Sequence, residues 1–474
     1  MYPGEPVDQD ARAIRPLRVC LVEFSPSGGL FQFAFQLGAG LAEFGHQVEL
    51  VTGPHPELRS TNDGFVVRSL LPTWSPGDHL DSRLLQKARR VGRGVRYVDS
   101  WRRVLGHIRR QQPHVVQFAE WRFVVDGWMC AWLARRSWAP VLVDLAHSPQ
   151  PLHEQRHDAP LYKSGPLLHR ALAAGYRSLD AVLVLGAQSR DQLTRTWPGL
   201  RRVEVIPHGD EHIFTPDEPV TPAEGTERRL LFFGVWTRYK GLDHLLDAFR
   251  VVRRRLPDAQ LVVAGAVGAD VDFPALVRQA DDVGGVELRP GYVPVEEVAG
   301  LVGGCRAVVA PYRAANQSGV VQLAHTLSRP VIVTDVGDLA STVEDGETGL
   351  VVPAGEVEAL ANALERLLLH PDEAGRMGRK GRQRSEAQAS WADVAQQVST
   401  IYEELLRRRR NDSGRLSSTR AGRPSAMPPV GGRWRSEKRR ARSPRWSWRI
   451  GTGRRSGSRR SLPRMRQLRM PPPG

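Results

Sequence analysis

The chain has 474 residues, of which 41% are hydrophobic and 25% are charged, a size and composition that predict a globular protein of two ordinary domains. Its formal charge is +16, and the C-terminal segment 407–474 carries the excess of positive charge. This segment holds 22 of the 67 Lys and Arg residues and two of the 51 acidic residues. The rest of the chain therefore has 45 basic and 49 acidic residues. Because this remainder is slightly acidic, the overall charge gives no support for a nucleic-acid-binding core.

The sequence predicts a cytoplasmic protein. Its first residues, MYPGEPVDQDAR, lack the basic and then apolar pattern of a signal peptide. The longest apolar run, 123–134, is shorter than a membrane span and is interrupted by Asp126 and Gly127. The three cysteines lie far apart among apolar residues, as is typical of reduced core thiols: Cys20, Cys130 and Cys305.

Apolar segments alternate with segments of helical periodicity, which predicts an α/β fold with parallel sheets. After an N-terminal extension, 1–16, we expect a first Rossmann-like domain over 17–209. Its predicted strands are 17–23, 47–52, 64–70, 114–120, 140–146, 181–186 and 203–207. Its predicted helices include 30–45, 82–111, 121–136 and 161–178.

The turn after the first predicted strand, which contains two adjacent glycines, is the first candidate site. Gly28 and Gly29 stand between that strand and the next helix, where backbone N–H groups and the helix dipole favour a phosphate. His147 follows the strand 140–146 and has the best position of the fourteen histidines for a functional role. His208 lies at the predicted domain junction, where a role in bending the chain is equally compatible with its position.

The segment 210–228 is rich in proline, glycine and acidic residues and is predicted to be a linker. The alternation then restarts over 229–388, a second Rossmann-like domain. Its predicted strands are 229–235, 259–265, 285–290, 306–311, 330–335 and 348–353, and its predicted helices are 241–256, 294–303, 317–328 and 356–369. Two such domains should face each other across a ligand-binding cleft at the carboxyl ends of their strands.

Two cations follow the first strand of the second domain. Arg238 and Lys240 lie between this strand and the next helix, where they suit a diphosphate that departs with negative charge. Further on, Asp270 and Asp272 resemble an acidic metal-binding triplet, but no third carboxylate or histidine lies near them in sequence. The sequence therefore shows no metal site and no cofactor motif, and it leaves metal dependence open.

A C-terminal helix is predicted over 389–409, which could cross back to the first domain. The tail, 410–474, consists mainly of Arg, Ser, Pro and Gly and is predicted to be disordered. Three tryptophans stand among its arginines: Trp434, Trp446 and Trp448. This mixture could contact anionic membrane or nucleic acid, but the composition favours a dispensable solvated extension.

Together these segments resemble the family 4 retaining glycosyltransferases of GT-B fold, over residues 17–405. The resemblance rests on four segments in order: the Gly28-Gly29 loop with 41–48 (LAEFGHQV), 205–209 (VIPHG), 233–242 (FGVWTRYKGL), and 329–332 (RPVI) through 345–349 (DGETG). It implies that Arg238 and Lys240 bind the donor diphosphate and that His147 lies beside the transferred sugar. The family's arginine usually follows the glycine directly, where this chain has Val235.

The chain departs from the family at a pair of glutamates eight positions apart, because the corresponding residues are Ala315 and Leu323. The local sequence is similar to a Gln-Ser-Gly variant of the family. In that variant the turn that opens the helix could hold the diphosphate through backbone N–H groups, and a glutamine could bond the ribose in place of a carboxylate. The candidate donor-binding residues here are Gln317, Ser318, Gly319 and Gln322.

The resemblance implies an enzyme that moves a sugar from a nucleotide-diphosphate sugar to a glycan or lipid-linked acceptor, with retention, in polysaccharide or glycolipid biosynthesis. The alternatives are another GT-B enzyme, such as a nucleotide-sugar epimerase, and a pseudo-glycosyltransferase that binds without turnover. Binding of nucleic acid is left to the tail alone.

A basic segment adds a possible membrane contact. Residues 83–110 contain ten Lys and Arg residues against one acid, Asp99, with apolar residues interleaved. On a helix this pattern fits either a domain helix whose apolar stripe packs on the core or a face that docks on anionic lipid, at the inner surface of the membrane.

Overall fold

The structure is a computed structural model that describes residues 15–72, 83–121, 123–147, 165–216, 220–314 and 318–421, with the backbone alone for 83–91, 388 and 413–421. The predictions for the N-terminal extension, for Gln317 and Ala315, and for the tail beyond residue 421 lie outside these described residues. None of the helices that the described residues form combines the length and apolar character of a membrane span.

The first half forms a parallel sheet of seven strands in the order β3-β2-β1-β4-β5-β6-β7. Each of these segments is rich in Val and Leu, which suits strands that are covered on both faces. The strands are β1 Arg18–Val22, β2 Gln47–Thr52, β3 Phe65–Ser69, β4 Val115–Phe118, β5 Val141–Leu145, β6 Ala181–Val184 and β7 Val203–Val205.

Five helices among the described residues of this half pack on the sheet, which has a core on each of its faces. Helix α1 packs in one cluster and helices α2 to α5 contribute to the other. Their bounds are α1 Gly29–Glu43, α2 Arg83–Gln111, α3 Val124–Leu133, α4 Pro166–Ser178 and α5 Ala187–Thr196.

The second half repeats the architecture with a parallel sheet of six strands in the order β10-β9-β8-β11-β12-β13. The strands are β8 Arg229–Phe233, β9 Gln260–Gly265, β10 Val286–Pro290, β11 Ala307–Ala310, β12 Val331–Thr334 and β13 Gly349–Val352. The helices are α6 Leu242–Arg255, α7 Phe273–Val283, α8 Val295–Gly303, α9 Gly319–Thr326, α10 Val357–Leu369 and α11 Pro371–Gln388. The predicted fold class, two parallel-sheet domains of Rossmann type, is confirmed.

The last helix, α12 (Trp391–Ala421), packs on the first sheet rather than the second. Its Tyr402 hydroxyl donates to the Gln117 side chain of β4 at 2.6 Å. The chain therefore crosses between the domains twice, and the two crossings touch, because the Trp391 indole N–H donates to the Asp210 carbonyl at 2.6 Å. Gly209 leaves room for that ring, since a Cβ there would lie 2.4 Å from the indole.

Helix α11 has no counterpart in the sequence prediction, and glycine explains both its position and the omission. Three glycines on one of its faces leave no space for a side chain: a Cβ at Gly375, Gly378 or Gly381 would overlap Glu224, Ser328 or His325, respectively. Glycine lowers intrinsic helix propensity, so the feature that lets α11 approach its neighbours closely also weakens its sequence pattern.

Candidate active site

A cavity of about 340 Å³ lies between the carboxyl edges of the two sheets, within the range of roughly 300–1,000 Å³ that small-molecule sites occupy. Both halves supply its lining. Six of the residues that the sequence singled out meet there: Gly28, Gly29, His147, Lys240, Ser318 and Gly319. The position is the one expected for ligands in open parallel sheets, where the strand order reverses.

Lys240 brings a partly buried cation to the second-domain wall of the cavity. It ends a short 3-10 helix, Arg238–Lys240, that follows β8. Its Nζ lies 5.3 Å from the ring centroid of Tyr312 and would lie 2.7 Å from a Cβ at Gly234, whose φ of 111° also favours glycine. Burial lowers the pKa of the Lys240 ammonium. A bound anion would offset that desolvation, so the site favours a negatively charged ligand.

The amino terminus of α9 faces the same cavity. Ser318 precedes the helix and Gly319 begins it, and the Ser318 hydroxyl lies 3.3 Å from that of Tyr312. Leu323, at the position of the second family glutamate, lines the cavity as an apolar residue. The neighbouring Gln322 is buried, with 7% of its surface exposed, and does not line this cavity. Helix α9 therefore offers the cavity its amino terminus and an apolar side chain, and contributes no carboxylate of its own.

On the first-domain side, a carboxylate occupies the glycine turn. The Gly28 N–H, at the start of α1, donates to Glu57 Oε2 at 3.2 Å, and the Gln32 side chain donates to the same oxygen at 3.1 Å. The Tyr292 hydroxyl, which follows β10 in the second domain, donates to Glu57 Oε1. The turn therefore binds a carboxyl group, and this group connects the two domains.

His147 follows β5 and reaches the cavity beside α1. Its ring packs edge-on against Phe33, with centroids 5.0 Å apart, and His208 packs against the same phenylalanine at 5.1 Å. The His208 Nδ1 lies 2.8 Å from the Gly209 carbonyl oxygen, and burial lowers the pKa of this imidazole. His208 stands behind the cavity wall, whereas His147 is part of it.

Arg238 does not line the cavity, although Lys240 two residues later does. Its side chain is exposed, and its Nε donates to the Asp270 carbonyl at 2.9 Å. The Asp270 carboxylate accepts the Arg238 backbone N–H, and Asp272 caps α7 by accepting the Ala275 N–H at 3.1 Å. The acidic triplet therefore organises this loop and the start of a helix.

One group of side chains among the described residues has the spacing of metal ligands: Cys20, Glu49 and His107. The Glu49 carboxylate is already engaged by His107 and by the cation of Arg68. Burial raises the pKa of the Cys20 thiol, which keeps it in the protonated form that does not bind metal. The donor set thus fits a paired carboxylate better than a cation site, and it lies apart from the cavity lining.

Glu211 is a titratable cavity residue that the sequence analysis did not single out. It falls within the predicted linker 210–228, yet only 7% of its surface is exposed and its carboxyl lines the cavity. Burial raises its pKa to about 8. Because the surrounding composition is typical of a linker, the sequence analysis did not select Glu211 as a site residue. Its position four residues after Pro207, shortly after the end of β7, is the sequence feature that could have indicated a place at the cleft.

Two family models match the two domains: "Glycosyl transferase 4-like domain" over residues 28–209 and "Glycosyl transferases group 1" over residues 227–370. The chain belongs to the glycosyltransferases. This glycosyltransferase is 33% identical over 250 residues to the alpha-maltose-1-phosphate synthase of Mycolicibacterium smegmatis, covering 48% of this chain and 63% of that protein. The match therefore spans less than two thirds of that relative.

Solved structures show the same architecture for this glycosyltransferase. It resembles the sucrose-phosphate synthase of Thermosynechococcus elongatus with a TM-score of 0.64 and 22% identity, covering 82% of this chain and 98% of that one. It resembles Anabaena HepE in complex with UDP-glucose with a TM-score of 0.57 and 15% identity, covering 82% and 100%. At these identities the likeness shows the GT-B fold.

Proposed function

We propose that this glycosyltransferase moves a sugar, with retention, from a nucleotide-diphosphate sugar to a glycan or lipid-linked acceptor in polysaccharide or glycolipid biosynthesis. The observation that carries the proposal is the partly buried Lys240 ammonium, which shares the cavity with the amino terminus of α9. A desolvated cation and the amino terminus of a helix suit the charge that develops on a departing diphosphate.

The remaining candidates take roles on the two sides of this diphosphate. His147 stands on the opposite, first-domain wall, where it can contact the transferred sugar. Gly28 and Gly29 offer backbone N–H groups once Glu57 is displaced. Closure of the domains would exclude water from the reacting centre, and no covalent nucleophile or resident cofactor is needed. Gln322 takes no direct part, because it does not line the cavity.

The test begins with thermal unfolding in the presence of UDP, GDP and ADP, since a ligand that binds only the folded protein raises the midpoint. The matching nucleotide sugars are then assayed for hydrolysis and for transfer. Stabilisation with transfer supports the proposal, and the anomeric configuration of the product tests retention. Stabilisation without hydrolysis or transfer would favour a pseudo-glycosyltransferase, and a rearranged nucleotide sugar would favour an epimerase. No stabilisation by any nucleotide would refute the proposed function.

A pseudo-glycosyltransferase remains the second candidate because of a specific observation. The cavity wall has Leu323 where the family resemblance calls for a glutamate. A leucine there cannot form the polar contact that a carboxylate would give to a bound sugar nucleotide. The transfer assay separates the two candidates.

We further propose that the first domain docks on the cytoplasmic face of an anionic membrane. In α2 the side chains of Tyr97, Trp101, Val104 and Ile108 form a buried stripe, so this helix belongs to the domain core. Apolar residues nevertheless remain on the outer surface. Six of the ten large exposed apolar side chains among the described residues lie on or next to α2, α3 and α4: Val95, Val98, Phe123, Trp128, Trp132 and Leu167.

Arginines surround these apolar side chains. The Arg136 guanidinium lies 3.8 Å from the ring centroid of Trp132, and Arg96, Arg135 and Arg170 are exposed. The one acid in this part of α2, Asp99, is paired with Arg102 and Arg103. Tryptophan beside arginine is typical of surfaces at the level of lipid headgroups.

Co-sedimentation of the full chain with phosphatidylserine and with phosphatidylcholine vesicles, at low and high salt, tests this surface. We expect binding to phosphatidylserine at low salt, and loss of most of it in the double variant Trp128→Ser, Trp132→Ser. The matched control is Val66→Ser on β3, an exposed apolar residue outside these three helices. If the double variant sediments like the wild type, this surface is not the docking site.

A further inference from the structure

Glu211 is held by both domains at the inner end of the cavity. Its Oε2 accepts a hydrogen bond from Gln36 Nε2 of α1 at 3.0 Å, and its backbone N–H donates to Thr326 Oγ1 of α9 at 3.2 Å. The other carboxyl oxygen, Oε1, lies 3.3 Å from the position that a Cβ would take at Gly319. The carboxyl is therefore fixed in place, with one oxygen beside the first residue of α9.

The groups around this carboxyl do not neutralise a negative charge on it. Its own segment supplies Asp210, which disfavours ionisation, and His208, whose Nε2 lies 3.8 Å from Oε1 but whose pKa burial lowers. The neighbouring side chains of α1 and α9, Gln36 and Thr326, are uncharged. Lys240 and His147 line the same cavity from other elements.

Burial is the main reason that the pKa of Glu211 rises to about 8. Near neutral pH the carboxyl therefore keeps its proton and can donate a hydrogen bond. The distinction matters beside a phosphate site, because a neutral carboxyl donates to a phosphate oxygen whereas a carboxylate repels it. It also matters beside Gly319, whose helix terminus is the part of the cavity best suited to an anion.

We propose that Glu211, in its protonated form, is a donor-binding residue that donates a hydrogen bond from Oε1 to a diphosphate oxygen of the nucleotide sugar. This inference rests on the proposed function and adds a group outside the residues that the family resemblance assigns. Glu211 would also give the ligand a polar contact from the domain junction. The cavity otherwise has the apolar Leu323 at a position where the family has a glutamate. Loss of the proton replaces an attraction by a repulsion, so nucleotide binding weakens as Glu211 ionises.

The test measures the affinity of the full chain for UDP, GDP and ADP by titration calorimetry from about pH 7 to about pH 9.5, where the terminal phosphate, with a second pKa of about 6, is fully ionised. We expect the wild-type dissociation constant to rise toward tenfold for each pH unit above the Glu211 pKa, as for any ligand that binds only one protonation state. Glu211→Gln keeps the side-chain volume and a neutral donor. Its affinity at neutral pH should match that of the wild type, without the loss above about pH 8.

Glu211→Ala completes the set, because it removes the donor at every pH. We expect it to bind nucleotide about tenfold more weakly at neutral pH, the effect of losing one hydrogen bond to a charged group. Unfolding midpoints would show that both variants fold.

An alkaline loss that persists in Glu211→Gln would assign the titration to Lys240 and overturn the inference, as would wild-type affinity in Glu211→Ala. Either result leaves the proposed function standing. By contrast, a wild-type chain that binds none of the three nucleotides at any pH refutes the proposed function, and this inference with it.

Discussion

Lys240 and Arg238 offer a sharp internal comparison, because they stand in one short helix and only Lys240 lines the cavity. In Lys240→Ala the site loses a partly buried cation. At an effective dielectric constant of about 20, two unit charges about 4 Å apart attract each other by about 4 kcal/mol. Removal of one hydrogen-bond donor to a transition-state charge costs roughly 10²–10³ in rate. We therefore expect the rate of sugar transfer to fall by about 100-fold to 1,000-fold.

Arg238→Ala is the matched control. The Arg238 guanidinium donates to the Asp270 carbonyl at the surface, and the hydrogen bond from the Arg238 backbone to the Asp270 carboxylate survives truncation of the side chain. We expect transfer within about threefold of the wild type, since an exposed contact of this kind contributes about 1 kcal/mol or less. Initial rates at saturating donor, with unfolding midpoints for both variants, provide the measurement. Near-normal transfer by Lys240→Ala, or an equal loss in Arg238→Ala, would refute the reasoning.

Three further experiments test other parts of the cavity. His147→Ala should lower the rate of transfer by about tenfold or more, because it removes a contact that positions the reacting groups. Its UDP affinity, measured by calorimetry, should not change. Unaltered transfer kinetics would show that His147 only packs against its neighbours. Gly234→Ala places a Cβ 2.7 Å from Lys240 Nζ and should weaken nucleotide binding, whereas Gly346→Ala, also at positive φ but with nothing within 4 Å, should lower only the unfolding midpoint. Folded Glu211 keeps a proton that the unfolded chain releases, so the free energy of unfolding of the wild type should fall as the pH rises from about 4.5 to about 8, by up to about 1.4 kcal/mol per pH unit. Urea titrations of Glu211→Gln should not show this fall. If the variant has the same pH profile of stability as the wild type, Glu211 is not a neutral carboxyl.

The strands could be read from the sequence because each is a short run of apolar residues bounded by turns. Each of the thirteen predicted strand segments contains one strand of the structure, and the predicted and observed ends differ by no more than two residues. Helices α5, α7 and α11 are not among the predicted helices. The residues before α7 look like a polar loop because Asp272 is its cap, and α11 uses glycine for close packing. In both cases tertiary contacts supply the stability that local propensity lacks.

A site residue could be predicted from the sequence when its position at the end of a strand is enough to bring it to the cavity. It could not be predicted when the direction of its side chain decides whether it reaches the cavity. Residues directly after a strand, such as Lys240 and His147, reach the cavity because parallel strands end at one edge. Arg238 occupies the same loop, but its direction is set by Asp270, which is distant in sequence. The position of Glu211 shortly after β7 can be read from the sequence, but its burial cannot, because that burial depends on α1 and α9 meeting at the domain junction.

The contact between Trp391 and the segment Gly209–Asp210 has a consequence for how the cleft can open. The two segments that connect the domains are bonded to each other there, so a relative rotation of the domains would have its pivot at this indole. Atoms near a pivot move little, so His208 and Glu211 would keep their places while more distant pairs separate. The pairs that must part are Glu57 with Tyr292, and Asp338 with the Ser189 hydroxyl, now 2.7 Å apart. The rate of product release would then depend on two carboxyl side chains, Glu57 and Asp338, that connect the domains away from the pivot.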